Sequence, residues 1–106
     1  MEENKIQEMQ FMEQTLQNVI YQKQMFQMEI SETLSALKEI EKTTEDVYKV
    51  IGQLMIKFSK EDMKKELEEK QKMLDLRLKD LEDQEKTTTE KANKLREEIL
   101  GNLKKE

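Results

Sequence analysis

Apolar residues along the first part of the chain recur with alternating spacings of three and four. The series is Met9, Met12, Leu16, Val19, Lys23, Phe26, Ile30, Thr33, Leu37 and Ile40, with Lys23 and Thr33 as its polar interruptions. Such a heptad pattern puts one narrow stripe of a helix against a partner helix and leaves the rest to water. A helix over 3–42 would be about 60 Å long at 1.5 Å per residue. No small globular domain buries a helix of that length, so a coiled coil is predicted. The second half repeats the pattern with Met63, Leu67, Lys70 and Leu74, then Leu78, Leu81, Glu85, Thr88, Ala92, Leu95 and Ile99. Two successive spacings of four, from Lys70 through Leu74 to Leu78, mark a stutter, which locally unwinds a supercoil. The Thr87-Thr88-Thr89 run has poor helix propensity and reads as a soft spot in a second helix over 60–103.

The segment between the helices has another character. Thr43, Thr44, Glu45 and Asp46 favour turns and caps over helix continuation. Val47-Tyr48-Lys49-Val50-Ile51 and Leu54-Met55-Ile56-Lys57-Phe58 are β-rich runs separated by Gly52-Gln53. A Gly-X dipeptide between two such runs predicts a hairpin over 47–58 with a type II′ turn. Ser59-Lys60-Glu61-Asp62 matches the Ser-x-x-acid box that starts a helix. With Gly52 and Gln53 in the turn, Ile51 pairs with Leu54 and Val47 with Phe58. One hairpin face then carries Val47, Ile51, Leu54, Ile56 and Phe58, and the other Tyr48, Val50 and Met55. An isolated two-stranded hairpin is marginal in water. It could fold back on its own helices, but these can cover only one face. Hairpins from several chains joined into one sheet or barrel would cover both and hide the strand edges. The predicted fold class is mainly α: a long antiparallel two-helix coiled coil, joined by a single β-hairpin that oligomerises into a β-barrel base.

Composition removes most chemistries. Of 106 residues, 41% are charged and 35% hydrophobic, with two Gly and no Pro, Cys, His or Trp. Ordinary globular chains are about 25% charged and about 45–50% apolar, so a compact core is not expected. Without Cys there is no disulfide, iron–sulfur cluster or thiol nucleophile, and without His the commonest general base and metal ligand are missing. Two glycines cannot make a P-loop or a dinucleotide fingerprint. No enzyme, no metal and no cofactor is expected: paired acids such as Glu45 and Asp46 exist, but no pocket-forming sequence surrounds them. A net charge of −5 disfavours nucleic acid as a partner. No apolar run approaches the roughly 20 residues that span a bilayer. The start, Met1-Glu2-Glu3-Asn4, lacks the features of a signal peptide. A cytoplasmic location without membrane contact is therefore expected.

In an antiparallel pair the two chain ends lie together. Ile6, Met9, Phe11 and Met12 then meet Leu95, Ile99, Leu100 and Leu103. Met9, Met12, Leu95 and Ile99 belong to the seam, whereas Phe11 and Leu100, together with Ile6 and Leu103, lie off it and would be partly exposed. A cluster of exposed apolar residues at a shared helix end points to an interaction patch. The chain also has eight Met, a residue suited to surfaces that accept varied partners. Met25, Met28, Met63 and Met73 lie away from the ends and read as seam filler. Met9 and Met12 read as seam residues that fraying end turns could lend to a partner.

The order helix, hairpin, helix and the stretch Val47-Tyr48-Lys49-Val50-Ile51-Gly52-Gln53-Leu54-Met55-Ile56-Lys57 resemble the beta class of the prefoldin family, whose hairpin reads Tyr-Lys-x-Val/Ile-Gly-x-Leu/Met-hydrophobic. Ser59-Lys60-Glu61 into Glu66-Leu67-Glu68-Glu69-Lys70 is similar to the family's entry into its second helix, and Gln14 to Lys23 resembles its Gln-rich first helix. The chain departs from many members in having no Pro at the termini or near the hairpin and an unusually Met-rich first helix. The resemblance covers nearly the whole chain and implies a single prefoldin-like domain over 1–106. It implies an ATP-independent holdase chaperone subunit. By the same resemblance the partners are an alpha-class subunit and further copies of this chain, in a hexamer of two alpha and four beta chains. It also implies that non-native polypeptide clients bind at the coiled-coil tips and pass to a group II chaperonin. The hairpin residues Val47, Tyr48, Val50, Ile51, Leu54, Met55, Ile56 and Phe58 would form the oligomer interface. Lys104-Lys105-Glu106 is a candidate chaperonin contact on the same analogy. The competing reading is a structural tether or scaffold dimerised through its hairpin, which needs neither a doubly apolar hairpin nor an apolar distal end.

Overall fold

A computed structural model describes residues 2–105. Helix α1 (Glu2–Lys42) leads into strands β1 (Val47–Ile51) and β2 (Leu54–Phe58), and helix α2 (Lys60–Lys105) follows. The strands form one antiparallel pair in the expected register, Val47 opposite Phe58 and Ile51 opposite Leu54. Gly52 has φ of 59°, and no non-Gly residue among those described has a positive φ. Gln53 therefore keeps a negative φ, which a type I′ turn would not permit and a type II′ turn requires.

The helix ends are set by local chemistry. The Ser59 hydroxyl accepts from the Asp62 amide at 3.0 Å, and the Ser59 carbonyl takes the first helical bond, from Met63 N at 3.0 Å. Ser59 is thus the N-cap of α2, with Glu61 and Asp62 in the first turn favoured by the helix dipole. At the end of α1, Thr43 N donates to the Glu39 carbonyl, and the Lys60 ammonium donates to the Thr43 carbonyl at 3.1 Å. The Thr43 hydroxyl accepts from Glu45 N at 3.2 Å and turns the chain toward β1.

The chain divides into two compact units, each containing part of both helices. One combines the residues up to Met25 with those from Leu78 onward; the other is Phe26–Arg77. In the first, Lys5 pairs with Glu98 at 3.7 Å, Glu13 with Arg96 at 3.9 Å and Lys23 with Glu85 at 3.0 Å, so the helices run antiparallel. Its buried residues are Met9, Val19, Leu81, Ala92 and Leu95. In the second, Thr33, Ile40, Met63 and Leu74 are buried, and Glu41 pairs with Lys64 at 3.6 Å. Every α1 position in the predicted heptad series is buried or half-buried, Lys23 and Thr33 included.

The two polar interruptions of α1 are each satisfied. Thr33 is 3% exposed, and its hydroxyl donates to the Glu29 carbonyl at 2.8 Å, so it needs no partner on α2. Lys23 finds Glu85, a polar position of the α2 seam. In α2 one assignment is corrected. Lys70 is exposed, and Gln71 takes its seam place. The consecutive spacings of four therefore run Met63, Leu67, Gln71, one heptad earlier than predicted. A long polar side chain at a phase shift can occupy either neighbouring position, and Lys70 takes the wet one. Helix α2 continues through Thr87, Thr88 and Thr89 without a break, with Thr88 and Thr89 half-buried.

Because Lys23 and Glu85 satisfy each other in the seam, removing one partner leaves a half-buried charge unpaired. Glu85→Leu is expected to lower stability by about 1 kcal/mol, discounted for the pair's partial exposure, whereas Lys23→Leu with Glu85→Leu is expected to match or exceed the parent. Thermal unfolding followed by circular dichroism at one fixed protein concentration checks both.

Candidate functional sites at the hairpin and the distal end

The hairpin is apolar on both faces and mostly uncovered. Val47, Lys49 and Phe58, at its helix-proximal end, are half-buried. Tyr48, Val50, Ile51, Leu54, Met55 and Ile56 are exposed, Met55 at 69%. Strand alternation places Ile51, Leu54 and Ile56 on one face and Tyr48, Val50 and Met55 on the other, following the observed pairing. With only two strands in the sheet, each strand also keeps one edge of unpaired backbone groups. Charge sits mainly at the helix-proximal end: Lys57 pairs with Asp46 at 3.5 Å, and Lys49 pairs with Glu66 of α2. The remainder offers apolar area and two strand edges, which suits strand-to-strand association.

The distal end belongs to the other unit. Met9 packs with Ala92 and Leu95, and Met12 and Ile99 pack partly against them. These are the seam residues expected there, and Ala92 is the small one that lets Met9 settle against α2. Ile6, Phe11, Leu100 and Leu103 are exposed, Phe11 at 70%. Phe11 borders a shallow groove with Glu8, Met12, Thr15, Thr88 and Lys91. The end therefore combines a closed apolar seam with large apolar side chains left in water. Of the Lys104-Lys105-Glu106 candidate, Glu106 lies outside the described residues, and the side chains of Lys104 and Lys105 are not described.

The methionines divide differently from expectation. Met63 is buried in the seam, but Met25, Met28 and Met73 are exposed, so these three are not seam filler. They occupy heptad positions that face away from the partner helix. Tyr21, next to that stripe on α1, and Leu76, near Met73 on α2, are exposed as well. Their positions outside the seam series were the signal available in the sequence.

Among the described residues, no group of three or more His, Cys, Asp or Glu is placed to hold a metal, and no helix is long and apolar enough to cross a membrane.

Comparison with known proteins gives one consistent result. A family model described as "Prefoldin subunit" matches residues 3–106. The chain is 43% identical over 94 residues to the prefoldin subunit beta of Pyrococcus furiosus, covering 87% of this chain and 80% of that one. It is 44% identical over 94 residues to the prefoldin subunit beta of Thermococcus onnurineus, covering 87% and 81%. The crystal structure of the prefoldin beta subunit from Thermococcus strain KS-1 superposes with a TM-score of 0.88 at 38% identity, covering 96% of this chain and 91% of that one.

The methionine exposures predict an order of oxidation. Under dilute peroxide, Met25, Met28, Met55 and Met73 should be oxidised well before Met9 and Met63, as read by mass spectrometry of peptides. If the hairpin is covered in an assembly, Met55 alone among the fast group should become slow.

Proposed function

The chain belongs to the prefoldin family, and from that premise we propose that it is a beta-class subunit of a hetero-oligomeric, ATP-independent holdase chaperone. The observation that carries this reading is the hairpin, which exposes Tyr48, Val50, Ile51, Leu54, Met55 and Ile56 on two faces while the helix seam is closed. Such a hairpin is stable only when its faces and edges are covered. Further copies of this chain and an alpha-class subunit supply that cover in this reading, as two alpha and four beta chains around a β-barrel base. Non-native polypeptides are held at the distal ends, at Ile6, Met9, Phe11, Met12, Leu95, Ile99, Leu100 and Leu103, and are passed to a group II chaperonin in the cytoplasm.

Capture without nucleotide requires weak contacts used many times. Each exposed side chain at the distal end contributes about 1.5–3 kcal/mol when fully covered by a client and less when partly covered. Several linked arms holding one client multiply such contacts through effective concentration. No single arm then holds the client tightly, so release needs no chemical step. A passive tether would need neither the exposed hairpin nor the exposed distal residues.

Two substitution sets separate assembly from capture. Ile51→Lys with Leu54→Lys should leave helicity unchanged but disperse the oligomer with the alpha-class partner, because charge enters an apolar interface; light scattering after size exclusion reads the mass, and an unchanged mass contradicts the assembly role. Phe11→Ser, Leu100→Ser and Leu103→Ser together should leave mass and helicity intact while markedly weakening suppression of aggregation of a diluted, denatured protein. Full suppression by the assembled triple variant would place client binding elsewhere.

A further inference from the structure

Lys49 is the one charged residue on an otherwise apolar hairpin face. It shares that face with Val47, Ile51, Leu54, Ile56 and Phe58. Its ammonium is directed back to the helices: it pairs with Glu66 of α2 and lies 5.5 Å from the centroid of the Phe58 ring. One side chain thus joins β1, β2 and α2. The other oxygen of Glu66, Oε2, is shielded from solvent and has no hydrogen-bond partner. Lys49 is thus the hydrogen-bond and ion-pair partner that the structure gives the Glu66 carboxylate. The neighbouring contacts do not duplicate this link. Lys57 and Asp46 pair within the hairpin and its lead-in, Lys60 and Thr43 join the two helix ends, and Lys64 and Glu41 join the helices.

We infer that Lys49 is a positioning residue for assembly: through Glu66 and Phe58 it sets the angle of the hairpin on α2, so that the exposed apolar faces meet a neighbouring subunit's hairpin in one prepared geometry. This rests on the reading of the hairpin as the assembly element. A two-stranded hairpin fastened only by its chain connections can swing, and each docking event must then remove that freedom. A half-buried ion pair with an aromatic ring beside the same ammonium removes it beforehand. Its directional character also favours one angle over others, which apolar packing of Val47 and Phe58 alone does not.

The test uses Lys49→Met, which removes the charge and keeps a side chain of similar length, Glu66→Gln, and the exchanged pair Lys49→Glu with Glu66→Lys. The chain contains no Cys, so spin labels can be placed at Gln53→Cys and Lys72→Cys without other changes, and pulsed dipolar spectroscopy reads the spread of hairpin-to-α2 distances. The expected result is a narrow distribution in the parent, a broad one in each single variant and a renarrowed one in the exchanged pair. Association with the alpha-class partner, read by light scattering over a concentration series, should weaken about three- to fivefold per subunit in the single variants and recover in the exchange. Unchanged distances in both single variants overturn the positioning role. Broadened distances with unchanged association overturn its link to assembly. If Ile51→Lys with Leu54→Lys leaves the oligomer mass unchanged, the assembly reading itself has failed, and the label distances still decide whether Lys49 sets the hairpin angle.

Discussion

A seam between two helices buries one stripe from each and nothing more. No large side chain among the described residues is fully buried; even Val19 and Ala92, among the most enclosed, keep some exposure. The folding energy is therefore spread in small portions along α1 and α2 and is not gathered in a core. Two consequences follow for the rest of the chain. The seam takes up the stripe that each helix turns toward the other, and the hairpin faces are left uncovered. The ends of the seam cannot be sealed either, because each helix end stops with apolar side chains on only one neighbour. Both proposed working surfaces are places where a coreless fold runs out of partners.

Since the seam has little apolar energy to set alignment, polar positions set much of it. Lys23 opposite Glu85 is satisfied in one antiparallel alignment and not in shifted ones, whereas Leu or Ile can slide with small loss. Thr33 plays the opposite part: by bonding to the Glu29 carbonyl it removes itself from the question of partner and register. The α1 stripe thus contains one polar residue that discriminates and one that is silent. Their difference lies in reach, since the lysine crosses to the other helix and the threonine folds back on its own.

Much of this was legible in the sequence because a heptad needs only spacing. All seam positions of α1, the turn at Gly52-Gln53 and the Ser59 cap depend on residues a few places apart. What sequence reading placed wrongly or missed depends on three dimensions. Lys70 and Gln71 compete for one seam position at a phase shift, and the local twist decides between them. Met25, Met28 and Met73 were assigned to the seam by residue type against their own spacing, and spacing was the better guide. At the distal end, the off-seam positions of Phe11, Ile6, Leu100 and Leu103 foretold their exposure. The contact of Lys49 with Glu66 had no sequence signal, because it depends on the tilt of a strand against a helix seventeen residues away.

The turn at Gly52 has a further meaning. Its φ is 59°, yet a Cβ built there would meet nothing within 4 Å. The position is thus constrained by handedness and not by crowding at the first side-chain carbon: a positive φ at the first central residue of a type II′ turn is what glycine adopts without torsional penalty. The hairpin apex accordingly keeps its glycine for the sense of the turn and not for the space a side chain would fill.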